Sequence, residues 1–405
     1  MKKNLVVAQS GGPTAAINAS LAGVIDAAIS SELINTVYGA KYGIQGVLNE
    51  EFINLSEVFT DRERLEHLKL TPAMALGSCR LKLPSLDKTE LYDKILDVFK
   101  RNNIGYFMYI GGNDSMDTAM KLNKFFADRG EDIKVIGVPK TIDNDLSMTD
   151  HCPGFGSAAK FVATVLTEIV SDALVYNVPA VVIVEIMGRN AGWLTASAAL
   201  TRECTGFAPQ LIYLPEVVFD LDKFIDNVKR IQSENNCVIV AVSEGAKVAD
   251  GRYLSELSSD CKVDTFGHKY TSGAGKFLEN LVTERLGCKV RSIELNVLQR
   301  GSGHILSKDD IDSAFEIGRA AVTAATNGVS GKMMIFLRTD KEDYEYSISY
   351  CDLDLVANFE KKFPLDWITP EGNDVTDEAV KYLKPLVKGD LSTPTKDGLP
   401  VHFRF

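Results

Sequence analysis

The stretch "YFMYIGGNDSMDTAMKLNKFFADRGEDIKVIGVPKT", residues 106–141, decides the fold. An apolar run from Tyr106 to Ile110 breaks at Gly111 and Gly112. Apolar residues then recur at helical spacing until Gly130 stops them, and a second run, Val135–Val138, ends at Pro139 and Lys140. Runs that are nearly continuous in apolar residues, rather than alternating, predict strands buried on both faces. A strand, a glycine turn, a helix and a further strand make a unit whose two strands lie parallel.

The same alternation recurs along the chain. "NLVVAQSGG" (4–12) precedes the helical pattern "AAINASLAGVIDAAIS" (15–30), and "LYDKILDVFKRNN" (91–103) leads into the stretch above. "SAAKFVATVLTEIVSDAL" (157–174) separates Val138 from the run "AVVIVEIMGR" (180–189), and "CVIVAVSEG" (237–245) is another strand. The expected class is therefore α/β, with parallel strands and helices on both faces. Ligands in such sheets sit beyond the carboxyl ends of the strands, where this chain puts its glycines and charges. "GKMMIFLRT" (331–339) and "YEYSISYCDL" (344–353) read as a terminal strand pair. The polar segment 247–275 reads as a surface insertion before the helix "KFLENLVTERLG" (276–287).

At 405 residues the chain is long enough for two or three domains, and 45% hydrophobic with 24% charged residues describes a globular protein. No apolar run approaches the roughly 20 residues a membrane span needs. Gln9 and Ser10 cut the N-terminal run too early for a signal peptide, so a cytoplasmic location is expected. Seven scattered cysteines without a CxxC pair, and five histidines without ligand spacing, argue against a disulfide framework or a zinc site. A net charge of −11 argues against non-specific nucleic-acid binding. An anionic substrate must then be met by a local cluster of Arg and Lys.

Several segments carry candidate chemistry. Gly11 and Gly12 stand between a strand and a helix, where glycine admits a phosphate or merely makes the turn; no GxGxxG or GxxxxGK[ST] pattern accompanies them. Gly112, Asn113, Asp114 and Ser115 form a second such turn, with a puzzle: a carboxylate at Asp114 should repel a phosphate. Arg80 and Lys82 follow a Gly–Ser turn and read most simply as a solvated loop. The segment 138–160 packs Lys140, Thr141, Asp143, Asn144, Asp145 and Asp150 together at a strand end. One carboxylate there can take a proton from an attacking hydroxyl, and another can help hold Mg2+ against phosphate oxygens. The alternative is an Asx-turn that bonds only its own backbone. Further strand ends bring Glu185, Met187, Gly188 and Arg189, then Glu244, then Arg291 and Arg300; an Arg fork suits phosphate, although each can be an ordinary surface residue.

Taken together, "GGPTAAIN", "GSCR", "GGNDS", "PKTIDND", "MGRNAG", "SEGA" and "LQR", in this order from residue 9 to about 304, closely resemble the phosphofructokinase family. The tail "PLDWITPEGNDV" (364–375) is similar to its pyrophosphate-using branch. The resemblance implies two doubly wound, Rossmann-like parallel-sheet domains with a C-terminal extension. Residues 1–138 would hold the phosphoryl donor, joined by a segment near 299–350. Residues 139–298, with an insertion near 247–275, would hold fructose 6-phosphate, and 351–405 would be the extension.

By position, the resemblance makes Asp143 the base for the sugar 1-hydroxyl, with Thr141, Asp145 and Lys140 assisting at the transferring group. Ile142, Met187, Gly188 and Arg189 would meet the sugar phosphate, Arg189 also steadying the transition state. Glu244 would hold the sugar, and Arg291 and Arg300 its 6-phosphate. Gly11, Gly12, Arg80, Gly112, Ser115 and Lys140 would line the donor side, and Asp145, with Asn113 in the place of a usual carboxylate, would hold Mg2+. ATP-using members commonly have Gly at the places of Asp114 and Lys140, so this pair implies pyrophosphate as donor. The implied activity is reversible transfer from Mg2+-pyrophosphate to fructose 6-phosphate in a homodimer or homotetramer, with no nucleic-acid or membrane partner. An ATP-dependent 6-phosphofructokinase and a non-catalytic sugar-phosphate sensor are the rivals. Val297 and Ala180 depart from the family pattern, where His and Arg are common, and His304 is a possible substitute for the former.

Overall fold

Two sheets organise the chain, for which a computed structural model describes residues 2–257, 273–339 and 344–405. In chain order the strands are β1 (Lys3–Gln9), β2 (Ile34–Ala40), β3 (Phe52–Asn54), β4 (Ile104–Gly111), β5 (Lys134–Pro139), β6 (Ala180–Ile186), β7 (Leu211–Tyr213), β8 (Cys237–Ser243), β9 (Lys289–Glu294), the two-residue β10 (Leu306–Ser307), β11 (Lys332–Arg338), β12 (Tyr346–Asp352) and the two-residue β13 (Asp390–Leu391), β14 (Thr395–Lys396) and β15 (Leu399–Pro400). The seven-stranded sheet runs β12-β11-β5-β4-β1-β2-β3, parallel except for its two edge strands. The four-stranded sheet, β7-β8-β6-β9, is parallel throughout.

The terminal pair expected from the sequence is β11–β12, an antiparallel ladder on the edge of the larger sheet. β2, β3 and β7 were not legible, because β2 ("INTVYGA") mixes polar residues into its run and the other two are three residues long. The described parts of the expected surface insertion, 247–257 and 273–275, are not wholly at the surface: Leu254 and Ala274 are buried in the core of the smaller sheet. Residues 258–272 of that segment lie outside the described residues. No described helix is long and apolar enough to cross a membrane.

Both faces of each sheet are covered, as continuous apolar strands require. On the larger sheet Val6, Ala8, Phe107 and Val135 pack against Phe99, Leu122 and Phe126, while Leu5, Val7, Met108 and Ile136 pack against Leu21, Val24, Ile317 and Ala321. The second face is closed by two helices, Ile17–Ile29 and Lys308–Thr326. They meet backbone to backbone, since a Cβ on Gly23 would fall 2.0 Å from Phe315 O and one on Gly318 2.2 Å from Ser20 O. The second helix also carries buried Asp310, whose two carboxylate oxygens accept from Gly154 N and Ser157 N at 2.9 Å. That carboxylate satisfies the amides opening the helix Phe155–Ala173 and favours its positive end.

The segment leaving β5 is tied down by β11. Asp150 N donates to Phe336 O (2.9 Å), Phe336 N donates to Thr149 Oγ1 (3.0 Å), and the Asp150 carboxylate pairs with Arg338 Nε at 2.9 Å and His151 Nδ1 at 3.2 Å. Burial pushes the Asp150 carboxyl upward, but the bonds from His151 and Arg338 outweigh it and hold it down at about 2. A carboxylate whose folded pKa lies below its unfolded value near 3.9 contributes stability that is complete above that value and lost as pH falls through the folded one. Asp150→Asn should therefore cost about 2 kcal/mol at pH 7. Urea midpoints measured from pH 7 to pH 3 should show the gap between variant and parent shrinking to about half by pH 3.

Candidate active site

The carboxyl ends of β1, β4 and β5 abut, because Ser10 N donates to Ile110 O and Lys140 N to Gly111 O, at 2.9 and 3.0 Å. At the first of these ends Gly11 takes a left-handed conformation (φ +79°), and Ser78 Oγ donates to its carbonyl at 2.8 Å. Lys140 Nζ donates to Gly12 O at 2.7 Å, and a Cβ on Gly12 would lie 3.3 Å from Arg300 Nη1. The first glycine turn, Lys140 and Arg300 are thus neighbours.

At the end of β4 a Cβ on Gly111 would fall 1.9 Å from Ser115 Oγ, so only glycine fits there, and the Ser115 and Ser10 hydroxyls bond each other. Gly112 then opens the helix Asn113–Asp128, whose amide-rich start can face an anion. Asp114 lies in its first turn and pairs with Lys82 at 2.9 Å, both side chains more than 70% exposed. Lys82 was read from the sequence as a solvated loop residue; the structure makes it the countercharge of Asp114. Exposed Arg80 rides in the same loop, between the Ser78 and Lys82 anchor points.

At the end of β5 lies the turn with the carboxylates. Thr141 Oγ1 accepts from Asp143 N at 3.0 Å and also bonds the Asp145 carboxyl, and buried Asn144 is left-handed (φ +53°). Ile142 is buried in the apolar cluster beneath. Burial raises the carboxyl pKa of Asp143, the Asp145 and Glu244 charges raise it further, and Lys140 and Arg300 offset them in part. Burial likewise raises Asp145. Burial lowers the Lys140 ammonium to about 8, against the pull of Asp143 and Asp145. Asp143, Asp145, Glu244, Lys140 and Arg300 therefore share one low-dielectric neighbourhood, a common property of reactive sites.

The smaller sheet supplies the other wall. Gly188 is left-handed (φ +128°), its N–H donates to Glu244 Oε1 at 3.4 Å, and its carbonyl accepts from Ser243 Oγ at 2.7 Å. A Cβ on Gly245 would fall 2.0 Å from Arg189 O, so the strand ends of β6 and β8 lock together through their glycines. Met187 N donates to Oε1 of buried Gln299, next to Arg300. Glu185 faces elsewhere: it accepts from Gly273 N and Gly275 N at 3.0 and 2.7 Å at the start of the helix Ala274–Leu286.

Arg291 is not brought to this site within one chain. It pairs in register with Val182, halfway along β6, and points from the edge strand β9 toward Asp172 at 3.5 Å, among Val165, Ile169 and Ile293. A position before the strand end cannot reach a site built beyond it. His304 is exposed, beside Ser302 Oγ and the Phe161 ring, and Val297 is exposed as well. Among the described residues no cluster of three or more His, Cys, Asp or Glu is placed to hold a metal ion. The oxygen donors of this site nonetheless suit Mg2+, which takes one or two carboxylates and completes its shell with water and substrate phosphate. Asn113 Oδ1, buried without a hydrogen-bond partner, is a further such donor.

Comparison with known proteins shows the family of the chain. Residues 4–324 match the sequence profile of the family Phosphofructokinase. A pyrophosphate–fructose 6-phosphate 1-phosphotransferase of Methylococcus capsulatus is 38% identical over 403 residues, 98% of this chain and 94% of its own length. A protein of the same name from Xanthomonas campestris pv. campestris is 40% identical over 401 residues, with 98% and 94% covered. The crystal structure of a pyrophosphate-dependent phosphofructokinase from Nitrosospira multiformis superposes with a TM-score of 0.88 at 37% identity, covering 99% of this chain and 96% of that one. Strand-end glycines, clustered half-buried carboxylates and near-full-length similarity converge: the chain belongs to the phosphofructokinase family.

Proposed function

We propose that this enzyme transfers a phosphoryl group reversibly from pyrophosphate to the 1-hydroxyl of fructose 6-phosphate, giving fructose 1,6-bisphosphate and phosphate. The observation that carries the reading is the half-buried Asp143–Asp145 pair sharing its surroundings with Arg300, Glu244 and buried Lys140. The Asp143 carboxylate takes the hydroxyl proton as the sugar oxygen bonds to phosphorus and the bridging oxygen departs with the second phosphate. Its raised pKa makes it a willing proton acceptor. Lys140 and Arg189 balance charge on the transferring group, and Thr141 orients the Asp145 carboxyl while accepting from the Asp143 backbone N–H. Met187, Gly188, Ile142, Glu244 and Arg300 form the sugar-phosphate side. Gly11, Gly12, Arg80, Gly112 and Ser115 form the donor side. Mg2+, held by Asp145 and Asn113, would supply positive charge to the donor phosphates when bound.

The donor preference follows from two charges. The Lys140 ammonium fills the space above Gly11, 3.1 Å from where a Cβ would stand, and offers its charge to a phosphate. Asp114, paired with Lys82, stands at the outer rim and takes the space that a third phosphate and its nucleoside would need. We place the donor on the larger sheet (1–138, with a segment near 299–350), the sugar on 139–298, and treat 351–405 as an extension. The protein is proposed to act in the cytoplasm as a homodimer or homotetramer, in which Arg291 serves a neighbouring copy.

A coupled assay should show turnover with pyrophosphate and little with ATP; the reverse result would sink the proposal. Asp114→Gly combined with Lys140→Gly should raise the KM for pyrophosphate at least about tenfold, the effect of losing roughly 1.4 kcal/mol of binding. Unchanged pyrophosphate kinetics would exclude these two as the donor filter. Asp143→Asn should cut kcat by about 10²–10⁴ while titration calorimetry still detects fructose 6-phosphate binding. A wild-type protein that binds the sugar phosphate but transfers nothing from either donor would instead be a sensor.

A further inference from the structure

The segment after residue 324 lies beyond the family match, yet part of it reaches the turn that carries the two carboxylates. Asn144, between Asp143 and Asp145, is buried in a left-handed conformation, which asparagine adopts more readily than other non-glycine residues. Its side chain Nδ2 donates to the Tyr382 hydroxyl at 3.0 Å, and that hydroxyl donates to Asp150 O at 2.5 Å. Tyr382 therefore closes the loop of chain 144–150 from outside. Burial raises its hydroxyl pKa well above the usual value, so it keeps the proton it donates. A second bond set lies alongside: Lys361 N donates to Asp145 O at 2.7 Å, and Lys361 Nζ to Thr149 O and Asp150 O at 3.0 and 2.7 Å.

The same stretch grips the opposite wall. Glu360 Oε1 accepts from Asn190 Nδ2 at 2.8 Å, and Lys362 Nζ donates to Asn190 O at 2.7 Å, one residue beyond Arg189. Neither contact is needed to hold the Tyr382 ring, which packs on Trp193 and Trp367 at 5.2 and 5.4 Å and lies under the Arg338 guanidinium at 4.4 Å. The hydroxyl can thus be removed with the packing left in place.

We infer that Tyr382, with the Glu360–Lys362 stretch, is a positioning residue for phosphoryl transfer: the C-terminal segment sets the Asp143–Asp145 turn against the Arg189 strand end. The inference rests on Asp143 being the base of the proposed reaction. Small displacements of a base from its attack geometry are costly in rate, whereas substrate binding relies on other groups.

Tyr382→Phe, Asn144→Ala and the double variant test this in the full-length enzyme with pyrophosphate as donor. Tyr382→Phe should lower kcat about tenfold, the effect of losing the hydroxyl's bonds to Asn144 and Asp150 in a positioned site, with both KM values within about twofold and the melting temperature lowered by no more than a few degrees. The double variant should be no slower than the slower single one, because the bond between Asn144 and Tyr382 is lost in both and Tyr382→Phe already removes the hydroxyl's other bond, to Asp150 O. Wild-type kcat in Tyr382→Phe, or multiplying losses in the double variant, would overturn the inference. If Asp143→Asn silences the parent while Tyr382→Phe runs at full rate, the inference alone falls. If the parent transfers nothing from pyrophosphate, the functional reading falls first and takes the inference with it.

Discussion

The buried ammonium of Lys140 is the constraint around which the rest of the site is arranged. A lone cation removed from water costs several kcal/mol, and it persists only where carbonyls and opposite charges receive it. Here the Gly12 carbonyl accepts from it, and Asp143 and Asp145 stand near enough to draw its pKa back upward. The carboxylates need the cation in turn, since burial pushes both toward their neutral forms. Each charge is tolerated because the others are there. Such mutual dependence is useful to an enzyme that must take up a proton and a highly charged phosphate in one place.

That arrangement requires three strand ends at close quarters, which the glycines allow. Gly111 leaves room for Ser115, Gly12 leaves room for Arg300, and Gly245 leaves room for the Arg189 carbonyl. Away from the site, Gly23 and Gly318 let two helices close the larger sheet, which fixes Asp310 at the start of the helix Phe155–Ala173. Thr141 bridges to Gly154 at the head of that helix. The helix packing on one face is therefore linked, residue by residue, to the carboxylate turn on the other side of the strand ends.

Much of this was legible in advance where the signal is local. Continuous apolar runs exposed the central strands, Pro139 and the polar run after it marked the end that holds Lys140, Asp143 and Asp145, and glycine-bearing turns marked those that hold Arg189 and Glu244. Short or mixed strands such as β2, β3 and β7 escaped because their burial depends on neighbours remote in sequence. Lys82 looked like a solvated cation because nothing nearby in the chain names its partner, Asp114, thirty-two positions on. Spacing and the family resemblance both group Arg291 with Arg300; within one chain, register along an edge strand separates them. The roles of Lys361 and Tyr382 had no sequence signal, since their partners are backbone carbonyls and a buried amide side chain more than two hundred residues away.

By itself the sequence determined the class of fold and the chemical groups available, because hydrophobic periodicity and turn residues act over a few positions and do not depend on the rest of the chain. Only the tertiary structure decided which charges face one another. Pairing energies rise steeply as two groups approach and leave water, and that approach is set by strand register, helix packing and the path of the tail. Asp114 shows both levels. Its place after two glycines is written in the chain, but its pairing with Lys82 at the rim exists only once the loop and the helix have been brought together.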